Sequence, residues 1–357
     1  MSRLRRPDAT RPMRLLIAGG TLAAAALVLA GCASPGTSAS RAEGPAIVAT
    51  TTQVGDFTRE LVGSSAEVTQ LLTPGQGAHG FDPSAGQLLA LAGADAVVVN
   101  GGGLESWLDD AIDASGFDGV LIDASEGIEL FGTADHGDDH ADQADHADDH
   151  GDHADHADDH AAHDHGDGNP HIWTDPELAE RMVDNIAHGL AEVPGVDAAE
   201  IEENERDYAA QLDALDAWIS ENVATVPVER RLLVTNHDAF TYFVDAYDVT
   251  FIGSIIPSFD DNAEPSAAEI DELVAKIRDT GVDAVFSEAS ISPKAAKTIA
   301  AESGVSVYSG DDALYGDSLG QPGSEGETYV GSQVHNARLI LESWGVEPST
   351  LPAALQG

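Results

Sequence analysis

From position 46 onward, short apolar runs rich in β-branched residues alternate with longer stretches whose apolar positions recur every three or four residues. The first pattern is that of a buried strand, the second that of a helix with one buried face. Strands are predicted over 46–50, 66–72, 95–100 and 119–122, with helices over 53–62, 84–92 and 104–114. The alternation then returns, with strands over 231–235, 249–253, 283–287 and 305–308 and helices over 238–246, 266–280, 292–303 and 327–343. Strand and helix in alternation with short connections build parallel α/β sheets. The predicted fold class is therefore α/β, with two similar lobes, each a four-stranded, mostly parallel sheet flanked by helices.

Between the lobes the helical pattern runs unusually long, over 197–223, with Ile201, Tyr208, Leu212, Leu215, Ile219 and Val223 on one stripe and acidic residues elsewhere. At 1.5 Å per residue such a helix reaches roughly 40 Å, long enough to join two lobes as a single rod. A surface helix lying along one lobe is the competing reading. The organisation that follows is a first lobe over 46–195, a linker helix over 196–226 and a second lobe over 227–357.

The amino-terminal end follows neither pattern. Arg3, Arg5, Arg6, Arg11 and Arg14 crowd its start, and residues 15–30 are apolar and small before Cys32, the single cysteine. A membrane span needs about 20 apolar residues, so this shorter stretch reads as a secretion signal, residues 1–31. Met13 is an alternative start that leaves the signal intact. Leu29-Ala30-Gly31-Cys32 resembles the lipobox of bacterial lipoproteins, which implies cleavage before Cys32 and attachment of lipid to it. The chain would then sit on the extracytoplasmic face of the cell membrane, with a Ser-, Ala-, Gly- and Pro-rich tether over 32–45. With Cys32 given to lipid, no thiol remains for a disulfide or a thiolate metal ligand.

Removing the five signal arginines and Asp8 from 16 basic and 63 acidic residues leaves 11 against 62, a net charge of −51. That balance excludes nucleic acid and a polybasic membrane patch as partners and favours cations. Arginine outnumbers lysine and alanine and aspartate abound, a composition expected of a high-GC, Gram-positive bacterium. Residues 132–168 contain no Lys, Arg or Glu; their histidines are His136, His140, His146, His150, His153, His156, His160, His163 and His165. With almost no apolar side chain to bury, this insertion is predicted to be a disordered loop after the last strand of the first lobe. Neutral imidazole is a good zinc ligand. Ordering a flexible chain around an ion costs entropy, so the loop is expected to offer auxiliary, weak and exchangeable metal sites.

Five histidines remain. His188 and His335 fall within amphipathic helices and read as solvated surface side chains. His79 lies in the Gly-rich loop TPGQGAHGFDP after the second strand, His171 in NPHIWTDPE ahead of a helix, and His237 in VTNHDAFTYF directly after LLVT, at a predicted helix start. Asp317 lies in YGDSLG, after VSVYS. Ligands of open α/β sheets bind outside the carboxyl ends of the strands, where at least three of these four side chains belong. Their separations match no local zinc motif, and each alone is compatible with an ordinary loop residue.

The segments TPGQGAHGFDPSAGQLLALAGADAVVVNGGGLESWL, NPHIWTDP, VTNHDAFTYFVDAYDV, IPSFDDNAEPSAAEI and VFSEASISPKAAKTIAAESGVSVYSGDDALYGDSLGQPGSEGETYVG resemble the zinc- and manganese-binding solute receptors of ABC importers. The resemblance covers nearly all of the chain after the signal. It implies two lobes joined by one rigid helix, and a metal held between them by His79, His171, His237 and Asp317. It also implies a membrane permease as partner, and the chain is expected to act as a monomer. One departure is Gly77-Ala78 ahead of His79, where the family more often has Asp or Ser followed by Pro.

Three imidazoles and one carboxylate suit four-coordinate Zn2+, whereas Mn2+ prefers more oxygen ligands; zinc is therefore the expected cargo, with manganese the alternative. Four protein ligands close the shell, which suits capture better than catalysis. No enzymatic role and no organic cofactor is expected. Glu288, in VFSEAS, is the one candidate general base for a zinc hydrolase and otherwise a supporting carboxylate. A surface metal buffer or adhesin, and a siderophore or cobalamin receptor, are the remaining alternatives.

Overall fold

β1 (Ala46–Ala49), β2 (Glu67–Gln70), β3 (Ala96–Val99) and β4 (Val120–Asp123) form one parallel sheet in the order β2-β1-β3-β4. The structure is a computed structural model in which residues 44–131, 168–258, 260–261 and 263–356 are described. The secretion signal, Cys32 and the nine histidines of the 132–168 insertion lie outside the described residues. Ile47 sits opposite Val68 on one side and Ala96 on the other, so β1 is buried within the sheet, as its unbroken apolar run requires. α1 (Thr52–Val62), α2 (Ala85–Ala92) and α3 (Leu108–Ser115) make the crossovers. Strand order reverses between β1 and β3, which opens a crevice at their carboxyl ends.

The second half repeats the pattern with β5 (Leu232–Thr235), β6 (Thr250–Ser254), β7 (Ala284–Phe286) and β8 (Ser306–Tyr308), and with α6 (Thr241–Ala246), α7 (Ala267–Thr280) and α8 (Lys294–Ser303). Its strands pair in parallel as two ladders, β5-β6 and β7-β8, with β5 lying beside β7. The spatial order β6, β5, β7, β8 thus matches that of the first half. A continuous ladder does not form because β7 and β8 are three residues long and the β5-β6 register shifts between Leu233 and Val234.

α4 (Pro176–Ala191) starts cleanly: Asp175 caps it by accepting from Glu177 N, and Pro176 supplies a helical φ at a position that needs no N–H. α5 (Ala198–Val223) is the predicted rod, and all six residues of its apolar stripe are buried. It packs on α1 and α4 of the first half and on α9 (Tyr329–Ser343) of the second. One apolar core therefore runs from β1 through α5 to α9, and a smaller one lies between β5, β7, α7 and α8. No helix among the described residues is long and apolar enough to cross a membrane.

Two helices begin three or more residues later than their periodicity predicts, α3 at Leu108 and α6 at Thr241, where hydrogen bonds from outside the helix take the backbone of the segment leading into it. Asp238 N donates to Ser258 O at 3.0 Å, which holds residues 236–240 out of the helix. After β3, Gly101, Gly102 and Gly103 all have positive φ, and a side chain at Gly101 would run into Asp123. The buried Glu105 carboxylate closes this turn by accepting from Thr50 Oγ1 (2.5 Å), Asn100 N (2.8 Å) and Gly101 N (3.2 Å). Asn100 in turn donates to Pro170 O at 3.1 Å, so the turn supports the segment carrying His171.

Burial pushes the Glu105 carboxyl from 4.5 to about 7. The unfolded chain therefore releases this proton at lower pH than the folded chain, and the stability linked to it is lost as pH rises from about 4.5 through about 7. Denaturant unfolding across that window should show wild type losing about 3 kcal/mol that Glu105→Gln does not lose, at 1.36 kcal/mol per unit. Parallel pH profiles would contradict the assignment.

Candidate metal centre

Each of the four predicted side chains sits in a loop whose shape other residues enforce. His79 follows a turn in which Gln76 Oε1 accepts from Thr73 N and Oγ1 at 2.8 and 2.9 Å. Trp107 Nε1 donates to Ala78 O at 2.9 Å, and Ser106 Oγ to His79 O at 3.2 Å. The Gly77-Ala78 departure has a local reason: a side chain at Gly77 would collide with the Asp261 carboxylate, and Ala78 is fully buried. His171 lies two residues beyond Asn169, and His237 lies in the β5-to-α6 connection, ahead of the helix proper. Asp317 lies in the long loop between β8 and α9, and Gly316 O beside it accepts from Gln53 Nε2 (3.0 Å) and Trp173 Nε1 (3.2 Å) of the first half.

The four converge. Their ligand atoms all lie within 4.8 Å of one another. Nε2 of His171 is 3.3 Å from Nε2 of both His79 and His237, and 3.0 Å from Asp317 Oδ1. His237 Nε2 is 3.1 Å from the same oxygen, and His79 Nε2 is 3.8 Å from Asp317 Oδ2. A tetrahedral ion with ligands at about 2.0–2.1 Å places neighbouring donors about 3.3 Å apart. The two nitrogen–nitrogen separations to His171 have that spacing, the distances from His171 and His237 to Asp317 Oδ1 are slightly shorter and that from His79 to Asp317 Oδ2 is longer, so the four donors surround a space of about the size such an ion needs.

The far edges of two rings are fixed as well. His171 Nδ1 donates to Asn169 Oδ1 at 2.6 Å, and His237 Nδ1 to Glu288 Oε1 at 2.8 Å. Both contacts leave the Nε2 lone pair for the centre. Glu288 is buried, and Oε1 also accepts from His237 N at 3.1 Å, so it serves as the supporting carboxylate. Asn169 carried no signal in its type alone, but an Asn two residues ahead of a loop histidine is placed to bond the following backbone and side chain.

The electrostatics favour positive charge at the centre, which a proton on His237 supplies when no ion does. Burial disfavours charge on His237, yet the Asp317 and Glu288 carboxylates overcome it and hold its pKa well above the ordinary value. Burial likewise opposes ionisation of Asp317, and His237 and His171 overcome it, holding this carboxyl well below its usual range. His79 is the reverse case: burial, then the neighbouring His171, lowers it to about 4, so its imidazole is neutral at physiological pH. Asp317 Oδ2 and Glu288 Oε2 are buried without a hydrogen-bond partner among the described residues. Outside His79, Gln76, Gly77, Gly80, Phe81, Asp82 and Asp261 line a cleft of about 390 Å³ with two carboxylates on its wall.

Of the two remaining described histidines, one meets expectation and one corrects it. His188 is exposed and pairs with Asp184 Oδ1 at 3.1 Å. His335, predicted to be solvated, is buried: Nε2 lies 3.0 Å from Ala313 O and the ring packs on Tyr315. The reason is that α9 is covered on nearly all sides, so its polar residues bind loop backbone instead of water. Beside it, Asn336 accepts from Tyr315 N and donates to Tyr315 O, both at 2.8 Å, bracing the approach to Asp317.

Among curated proteins, the manganese-binding lipoprotein MntA of Halalkalibacterium halodurans is 28% identical over 314 residues, 87% of this chain and 92% of that protein. The zinc-binding protein TroA of Treponema pallidum is 26% identical over 299 residues, 83% of this chain and 88% of its own. The solved structure of the periplasmic zinc-binding protein TroA from Treponema pallidum superposes with a TM-score of 0.70 at 24% identity, covering 84% of this chain and 99% of that one, and confirms the fold. Residues 47–343 match the model of the ZnuA family, described as zinc-uptake complex component A, periplasmic, and the chain belongs to that family.

Proposed function

We propose that this chain captures one divalent transition-metal ion outside the cytoplasm, Zn2+ by preference, and delivers it to the membrane permease of an ABC importer. The observation that carries the reading is the convergence of three imidazoles and one carboxylate, from four loops in both halves, with ligand atoms all within 4.8 Å of one another and the His171 nitrogen at tetrahedral spacing from the other two. Borderline nitrogen donors with a single carboxylate favour zinc over manganese, which takes more oxygen ligands. A fourth protein ligand in place of reactive water suits transfer of the ion unchanged.

Manganese is the second reading, and relatives support it: MntA of Halalkalibacterium halodurans carries that metal in its name. Outside the described residues, Cys32 is the proposed lipid anchor and the nine histidines of 132–168 the proposed gathering loop. The acidic cleft beside His79 offers an approaching cation a favourable potential.

Loss of one ligand costs more than the roughly 10–100-fold that loss of an outer hydrogen-bond partner costs. Isothermal titration with Zn2+ should therefore find one tight site, weakened more than about 100-fold by His237→Ala. Removal of residues 132–168 should abolish only weak binding. A tight site that vanished with the loop yet survived His237→Ala would overturn the assignment. For the choice of metal, protein purified from its native membrane should carry one zinc per chain by mass spectrometry. Stoichiometric manganese would overturn zinc while leaving the site in place.

A further inference from the structure

Asn169 sits where the two halves meet, and both ends of its side-chain amide are in use. Oδ1 accepts from His171 N at 3.1 Å and from His171 Nδ1 at 2.6 Å. Nδ2 donates to Asp238 O at 2.8 Å and to Thr241 Oγ1 at 3.0 Å. A backbone N–H can only donate and a carbonyl can only accept, so these contacts fix which end of the amide is oxygen. Because that oxygen is an acceptor, His171 must carry its proton on Nδ1 and turn its Nε2 lone pair toward His79, His237 and Asp317.

The backbone of Asn169 is tied across the same boundary. Tyr242 OH donates to Asn169 O at 2.6 Å and accepts from Phe131 N at 3.1 Å, and Asn169 N donates to Phe131 O at 2.6 Å. Asp238, Thr241 and Tyr242 come directly after His237. Asn169 thus touches the neighbours of one ligand with its amine and a second ligand with its carbonyl oxygen.

Resting on the metal reading above, we propose that Asn169 is a positioning residue with two separable tasks. Its carbonyl oxygen orients His171 toward the ion, and its amine locks the second half against the first so that the loaded site stays shut. The first task sets how well the ion is coordinated. The second sets how slowly it leaves.

Asn169→Asp separates them. One carboxylate oxygen still accepts from His171, while the other faces Asp238 O, acceptor against acceptor. If orientation were the only task, the added charge would strengthen the imidazole as a donor and slow release. If the lock matters, release accelerates. Full-length wild type, Asn169→Asp, Asn169→Ala, Thr241→Val and His237→Ala are loaded with one equivalent of Co2+. Visible d–d spectra are then recorded, and release to excess EDTA is timed by stopped flow.

The expected result is wild-type bands with release at least about 10-fold faster in Asn169→Asp, and altered bands with faster release in Asn169→Ala. Release by Asn169→Asp at or below the wild-type rate, or bands shifted as in the alanine variant, would overturn the proposal. Should Asn169→Asp fail to fold, Thr241→Val decides: unchanged bands with faster release support the lock, and the wild-type rate contradicts it. Wild type without tetrahedral bands, or His237→Ala with normal ones, would instead remove the metal reading on which the proposal stands.

Discussion

Two carboxylates, Asp317 and Glu288, are buried against three imidazoles at the meeting of the two halves. An isolated charge in such a place costs many kcal/mol unless it is paired and hydrogen-bonded. Most of the local architecture can be understood as the means of meeting that cost. Glu288 is met by the backbone and ring of His237, and Asp317 Oδ1 lies between His171 and His237. Glycine at 316 lets this loop come close, since a side chain there would run into Glu288. A divalent ion would complete the balance, because it brings positive charge where Asp317 Oδ2 still has no hydrogen-bond partner among the described residues.

The halves are held together around this centre by hydrogen bonds that reach from one into the other. Leu319 N donates to Thr52 Oγ1 at 2.9 Å, Tyr329 N to Asp56 Oδ2 at 2.7 Å, and Gly75 N to Ser318 Oγ at 2.7 Å. Each lies on the α1 side or on the loop of His79, so the segment bearing Asp317 is docked on the first half as much as on its own sheet. α5 packs in the shared core against helices of both halves. A helix packed in this way is expected to favour small rocking and rearrangement of the loops at the site over a wide hinge swing. An ion that binds only the closed arrangement stabilises these contacts by mass action, which is the coupling a delivery protein needs.

Every strand was legible in the chain: β1, β3 and β7 as uninterrupted apolar runs of buried parallel strands, and the half-exposed β2 and β4 through their β-branched residues between turn signals. The long stripe from Ile201 to Val223 announced the rod equally well. Less visible were the splitting of the second sheet into two ladders and the late starts of α3 and α6. The split follows from the short β7 and β8 and the register shift at Leu233 and Val234, and the late starts from Glu105 reaching back to Asn100 and Gly101 and from Asp238 N finding Ser258 O, contacts that no local periodicity encodes. The four candidate ligands were legible as loop residues, but their convergence came only from family resemblance, because they are separated by scores of residues. The burial of His335 is hidden from the sequence for a related reason. A polar side chain within a helix signals solvent only when one helix face is free, and α9 has almost none.

Zinc-edge anomalous diffraction from crystals of the zinc-loaded protein tests the centre most directly. The predicted result is one strong peak within about 2.0–2.2 Å of Nε2 of His79, His171 and His237 and of a carboxylate oxygen of Asp317. A peak elsewhere, or any of the four side chains beyond coordination distance of the ion, would contradict it.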